Sequence, residues 1–171
     1  LYSAADALLA VGIGFGLRRF APERPGMGTL LVGAAVAAAL GSVRWGWFSP
    51  GVLACAAAEL ALCCRAQKLA ALSGSAVLGA ALCAADPALA PAAAGLGCAT
   101  AAAAVLAPGR RVETLAAYAG GCVSGVLCVQ PPGNAFGLLF SACGGMAVVC
   151  LLPGGWLAPV ADTPQSGESA P

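Results

Sequence analysis

Charge falls in this chain at the breaks between long apolar runs, and that placement limits the folds open to it more than any motif does. With charged residues as punctuation, apolar stretches cover residues 3–17, 25–43, 45–64, 69–85, 88–107, 114–129 and 134–152. A helix needs about 20 apolar residues to cross a bilayer, with about 17 as the lower end. The second, third and fifth stretches meet that requirement, whereas the first, fourth and sixth are short and suit a thinned bilayer or a protein-lined interior. Alanine adds little to insertion, so the segments are individually marginal and depend on one another. The chain is 60% hydrophobic and 9% charged, where a soluble domain carries about a quarter charged residues. Its mean hydropathy of +0.90 also excludes a solvated disordered chain. The expected fold is all-α: a polytopic membrane helix bundle of about seven transmembrane helices.

The basic residues then set an orientation. If every stretch crosses once, Arg18, Arg19 and Arg24, then Arg65 and Lys68, then Arg110 and Arg111 all fall in loops on one side. The other side receives Arg44, Asp86 and the uncharged turn at residues 130–133. The positive-inside rule places the basic loops and the C-terminal tail in the cytoplasm and the first residue outside. Trp45, Trp47, Phe48 and Trp156 sit where amphipathic rings favour the headgroup layer. Ser49-Pro50 reads as an N-cap followed by a first-turn proline, which shortens the third helix. Residues 1–160 are expected to form the membrane domain and residues 161–171, of linker composition, a cytoplasmic tail. Because the chain begins with Leu1, it reads as a piece of something longer, with its first segment a truncated membrane helix.

A repeat underlies these stretches. Arg19, Arg65 and Arg111 are each 46 residues apart, and Gly28, Gly74 and Gly120, then Gly33, Gly79 and Gly125, keep the same offset. A two-helix unit that returns the chain to the same side explains the period. Glycine at these points lets helix backbones approach, which drives association in lipid. Two glycines five residues apart lie about 140° apart around a helix, so each pair can face two different neighbours.

Chemistry-bearing residues are few. Histidine is absent, which removes His-based triads and most zinc sites. Eight basic against seven acidic residues provide no electrostatic surface for nucleic acid. Glu59 is the one carboxylate well inside an apolar stretch, and an intramembrane acid is a proton- or cation-site candidate. Its plainer reading is snorkelling toward Arg65 or interfacial water. Asp86, before Pro87, reads as a turn residue, and Asp6 as interfacial. All nine cysteines lie in apolar stretches with no CxxC, so they read as small buried hydrophobes. The Gly12-x-Gly14-x-Gly16 run lacks the strand-loop-helix setting of a dinucleotide site and reads as helix packing. No catalytic, metal or cofactor motif is present, and no cofactor is expected.

Residues 69–160, with "GRRVETLAAYAGGCVSGVLCV" at 109–129, "AFGLLFSACGGMAVVCLLPGGWLAPV" at 135–160 and the exit Leu151-Leu152-Pro153, resemble the end of the membrane domain of stage II sporulation protein E of spore-forming bacteria. The resemblance implies a multi-pass domain in the bacterial cell membrane that tethers a metal-dependent PP2C-type serine/threonine phosphatase to the division septum. That phosphatase acts on a phosphorylated anti-anti-sigma factor. Its metal-binding aspartate motifs are not in this chain, so no catalytic residue carries over. The leading expectation is a non-enzymatic domain that anchors, localises and oligomerises a cytoplasmic regulatory phosphatase, with the lipid bilayer, other copies or other septal membrane proteins as partners. The alternatives are a small transporter or channel with Glu59 and Asp86 facing a shared cavity, and an accessory subunit of a membrane complex.

Overall fold

The computed structural model describes residues 25–43, 46, 48–65, 67–106, 111–129, 132–153 and 157. The first apolar stretch with Asp6, Gly12, Gly14, Gly16, Arg18, Arg19 and Arg24 lies outside the described residues. So do Arg44, Trp45, Trp47, Arg110, Trp156 and the tail. Regular structure among the described residues is helical. The helices are α1 (Pro25–Gly41), α2 (Pro50–Cys64), α3 (Lys68–Ala85), α4 (Ala90–Leu106), α5 (Arg111–Val129) and α6 (Pro132–Leu151), with a 3-10 turn (Pro87–Leu89) before α4.

These bounds follow local chemistry. Proline opens α1, α2, α6 and the 3-10 turn, where its fixed φ suits a first turn and its missing N–H costs nothing. Ser49 caps α2, its hydroxyl accepting from the Val52 N–H at 3.5 Å, so α2 starts at Pro50 as expected. Before it, Gly46 holds φ +60°, a left-handed conformation that glycine adopts without strain. By length and composition, Lys68–Ala85 and the run Pro87–Leu106 are long and apolar enough to cross a membrane, with mean hydropathies of 1.6 and 1.7.

Successive helices alternate in direction. Gly33 lies against Leu78 and Gly41 against Leu82 and Ala85, so α1 and α3 run parallel. Gly121 meets Ala99 and Gly125 meets Gly95, so α5 runs antiparallel to α4. On α6, Gly144 and Gly145 meet Leu53 and Ala56 of α2, and Ser141 accepts from the Ser49 N–H at 3.3 Å, which makes α2 and α6 parallel. An edge-to-face pair of Phe48 and Phe140, with centroids 6.3 Å apart, closes the same corner.

The geometry therefore puts Arg65, Lys68 and Arg111 at one end of the bundle and Asp86 at the other, as the charge pattern implies. Helix α2 is central and touches each of the other five; of its residues only Ala58 is exposed. At 15 residues it measures about 22 Å, less than a hydrocarbon core, but it is enclosed by protein along that length.

Small residues form the closest helix seams, while large apolar side chains occupy both the core, with Leu60, Leu82, Leu96 and Tyr118, and the outer surface. A Cβ on Gly121 would stand 2.5 Å from the Ala99 Cα, one on Gly125 2.7 Å from the Gly95 Cα, and one on Gly51 2.6 Å from the Gly41 nitrogen. Leu69, Val112, Leu127, Phe136, Phe140 and Leu151 point outward, Leu69 and Leu151 being 84% and 85% exposed. Away from the bundle ends, the exposed polar side chains among the described residues are Ser73 and Ser124. The Ser73 hydroxyl donates back to the Leu69 carbonyl at 2.7 Å.

Candidate functional site

At the centre of this bundle is Glu59, 1% exposed. The Thr100 Oγ1 of α4 donates to its Oε2 at 2.6 Å, and the Tyr118 hydroxyl of α5 donates to the same oxygen at 3.3 Å. Ser75 of α3, also buried, lies near the same carboxyl. Four consecutive helices thus contribute one polar group each. A buried carboxyl without such partners costs several kcal/mol, so the cluster both satisfies Glu59 and specifies how α2 to α5 meet. Thr100, Tyr118 and Ser75 are themselves buried, and the Cys63 thiol packs on the cluster, donating to the Thr100 carbonyl at 3.9 Å.

This geometry departs from the snorkelling expectation. Glu59 points into the bundle rather than toward Arg65, because hydroxyls on two neighbouring helices, Thr100 and Tyr118, supply its partners at its own level. Asp86 does not join it: its Oδ1 accepts from the Ala88 N–H at 2.9 Å and caps the 3-10 turn at the end of the bundle. Glu59 and Asp86 therefore lie at different levels of the bundle.

Thr100, Tyr118 and Ser75 do not stand out in the sequence, although Ser75 and Tyr118 share a depth signal with Glu59. Glu59 lies six residues before Arg65, Ser75 seven after Lys68 and Tyr118 seven after Arg111. At 1.5 Å per residue, each is about 9–10 Å in from the basic end.

The other predicted residues divide by position. Arg111 Nη2 donates to the carbonyls of Val149 at 3.0 Å and Leu152 at 2.7 Å, so it caps the C-terminus of α6, where a cation complements the helix dipole. Arg65 follows the last turn of α2, its N–H bonded to the Ala61 carbonyl. Among the repeat glycines, Gly125 sits at a closest approach, Gly33 and Gly79 make ordinary contacts with Leu78 and Ala93, and Gly74 is buried. Gly28 lies in α1. Gly120 opens on empty space, and its neighbour Gly121 makes the contact instead. The motif at the α4–α5 seam is Gly121-x3-Gly125 against Gly95-x3-Ala99, the small-xxx-small spacing of close helix pairs.

The cysteines Cys55, Cys63, Cys64, Cys83, Cys98, Cys122, Cys143 and Cys150 are free thiols. No three His, Cys, Asp or Glu residues gather as a metal site among the described residues. Comparison with known proteins gave no match to a family model, to a curated protein or to a solved structure.

Proposed function

We propose that this chain is a multi-pass membrane domain whose role is to anchor, localise and oligomerise a cytoplasmic region that follows it. The observation that carries this reading is the surface of the bundle: glycine and alanine line the closest seams, large aliphatic and aromatic residues stand exposed along the outside, and the described cations collect at one end. Lipid rewards that arrangement, because it tolerates an apolar exterior and draws helices together through small residues. The basic end then faces the cytoplasm. The resemblance to the sporulation phosphatase family supplies the cargo and the place: a PP2C-type phosphatase at the division septum. A fluorescent protein fused after residue 171 is expected to concentrate at the septum during asymmetric division, and a uniform membrane signal refutes the localising role. Labelling of Arg65→Cys and Arg111→Cys in intact vesicles is expected from the same side for both positions, and opposite sides refute the topology.

A second reading, a small transporter, is favoured by one specific observation, the Glu59 cluster. Anchoring alone does not require an acid at the bundle centre. Proteoliposomes carrying the chain are expected to show proton flux that Glu59→Gln abolishes while insertion persists, and absence of flux in the unaltered chain refutes it.

A further inference from the structure

The 46-residue period sets α5 in register with α3, but the two helices are not covered alike. On α3, Gly74 and Leu78 are buried, and the Leu78 side chain lies 3.7 Å from where a Cβ on Gly33 of α1 would stand. Their equivalents on α5, Gly120 and Ser124, are both exposed, and a Cβ on Gly120 would meet nothing within 4 Å. With the exposed Ala116 they form an open Ala116-x3-Gly120-x3-Ser124 face bordered by Val123 and Leu127. The difference is a neighbour: α1 packs on α3, whereas α3 has no comparable packing on α5 within the chain.

The other half of that contact is open as well. Gly79, the equivalent of Gly33, lines an open groove of about 420 Å³ between α3 and α4, with Leu72, Ala76, Ala80, Ala94 and Gly97 among its walls. Gly33 and Leu78 are 45 residues apart, and so are Gly79 and Ser124. Gly79 is 14 residues past Arg65 and Ser124 is 13 past Arg111, so the two sit within about 2 Å of the same depth. Helices α3 and α5 both run away from the basic end, and copies inserted with one topology keep that direction. An α5 of one copy can therefore lie along α3 of another as α3 lies along α1 inside a single chain.

We propose that the α3–α4 groove is the seat for α5 of a second copy, with Gly79 against Ser124 and Gly120 letting the backbones approach. Close packing of small residues drives such association in lipid, and covering Ser124 takes a hydroxyl out of hydrocarbon. The contact joins unlike surfaces of identical chains. It rests on the membrane-embedded, oligomerising reading and adds the interface to it.

The test uses the full 171-residue chain in phosphatidylcholine vesicles, as copies with different tags. Gly79→Cys is accommodated, because a Cβ there stands 3.5 Å from the Ala93 Cβ, and Ser124→Cys exchanges one atom. Oxidation with copper phenanthroline is expected to join a Gly79→Cys copy to a Ser124→Cys copy above the level that the unaltered thiols give. A disulfide between two Ser124→Cys copies in its place overturns the proposal, as does no link above that level. A diazirine-bearing leucine at Ala80, on the groove wall, reads the occupant: adducts within residues 116–127 of the other copy are expected. Adducts only on lipid, or on residues 1–24 of the same chain, overturn the proposal. Gly120→Leu meets open space within one chain but crowds the seat. It is expected to weaken association about tenfold, read by energy transfer between donor- and acceptor-labelled copies, while its SDS unfolding curve is unchanged. Energy transfer that Gly120→Leu leaves intact removes this interface and leaves the oligomerising role standing. No transfer in the unaltered chain, with flotation showing insertion, removes both.

Discussion

Adjacent glycines in α5 are expected to respond to the same substitution with opposite signs. A Cβ at position 121 stands 2.5 Å from the Ala99 Cα and 3.2 Å from the Ala99 nitrogen and the Ala102 Cβ. Two of those three atoms are backbone and cannot rotate aside, so Gly121→Ala must push α4 and α5 apart by roughly 0.9 Å to restore ordinary contact. Overpacking of this kind costs about 1–3 kcal/mol. The upper half applies here, because the Gly125–Gly95 approach one turn along the same seam opens with it. Alanine's better helix propensity offsets up to about 1 kcal/mol, which leaves a net loss of about 1–2 kcal/mol for Gly121→Ala. Gly120→Ala meets nothing within 4 Å and keeps only the propensity gain, so it is expected to be neutral to stabilising by up to about 1 kcal/mol. The assay is an SDS titration of the purified chain in mixed micelles, read as fraction folded. A Gly121→Ala variant as stable as the unaltered chain, or a Gly120→Ala variant that loses as much, refutes the seam.

Thr100→Val removes the 2.6 Å donor from the Glu59 carboxyl and is expected to cost about 1–3 kcal/mol in the same titration, with Thr100→Ser recovering most of it. Arg111→Ala deletes both bonds to the end of α6, at about 1.5–3 kcal/mol for bonds from a charged donor. Hydrogen exchange across residues 149–152 should accelerate while α2 stays protected, and Arg111→Lys should recover only part of the loss because an ammonium lacks the guanidinium fork. Cys98 and Cys143 are exposed near the middles of α4 and α6; with the bundle in lipid, a membrane-impermeant maleimide should leave both unmodified until SDS is added. Rapid labelling in sealed vesicles would remove the membrane reading.

Helix limits were legible in the sequence because they depend on local chemistry: charges interrupt the apolar runs, prolines open helices, and Ser49 and Asp86 cap where such residues usually cap. The gathering of Arg65, Lys68 and Arg111 at one end followed from alternation along the chain, which requires no knowledge of packing. The 46-residue period marked Gly120 where Gly121 makes the contact. A stretch that is apolar on nearly every face carries no phase to tell which side meets a neighbour.

Glu59 stood out by itself as an acid in an apolar segment, but its direction did not. The snorkelling expectation failed because Thr100 and Tyr118, distant in sequence, reach the same oxygen only once α4 and α5 have packed on α2. Local sequence thus determined where helices begin, end and turn. Only the tertiary structure decided which faces touch and where the buried carboxyl finds its partners, since both depend on rotation about helix axes that uniform hydrophobicity leaves free.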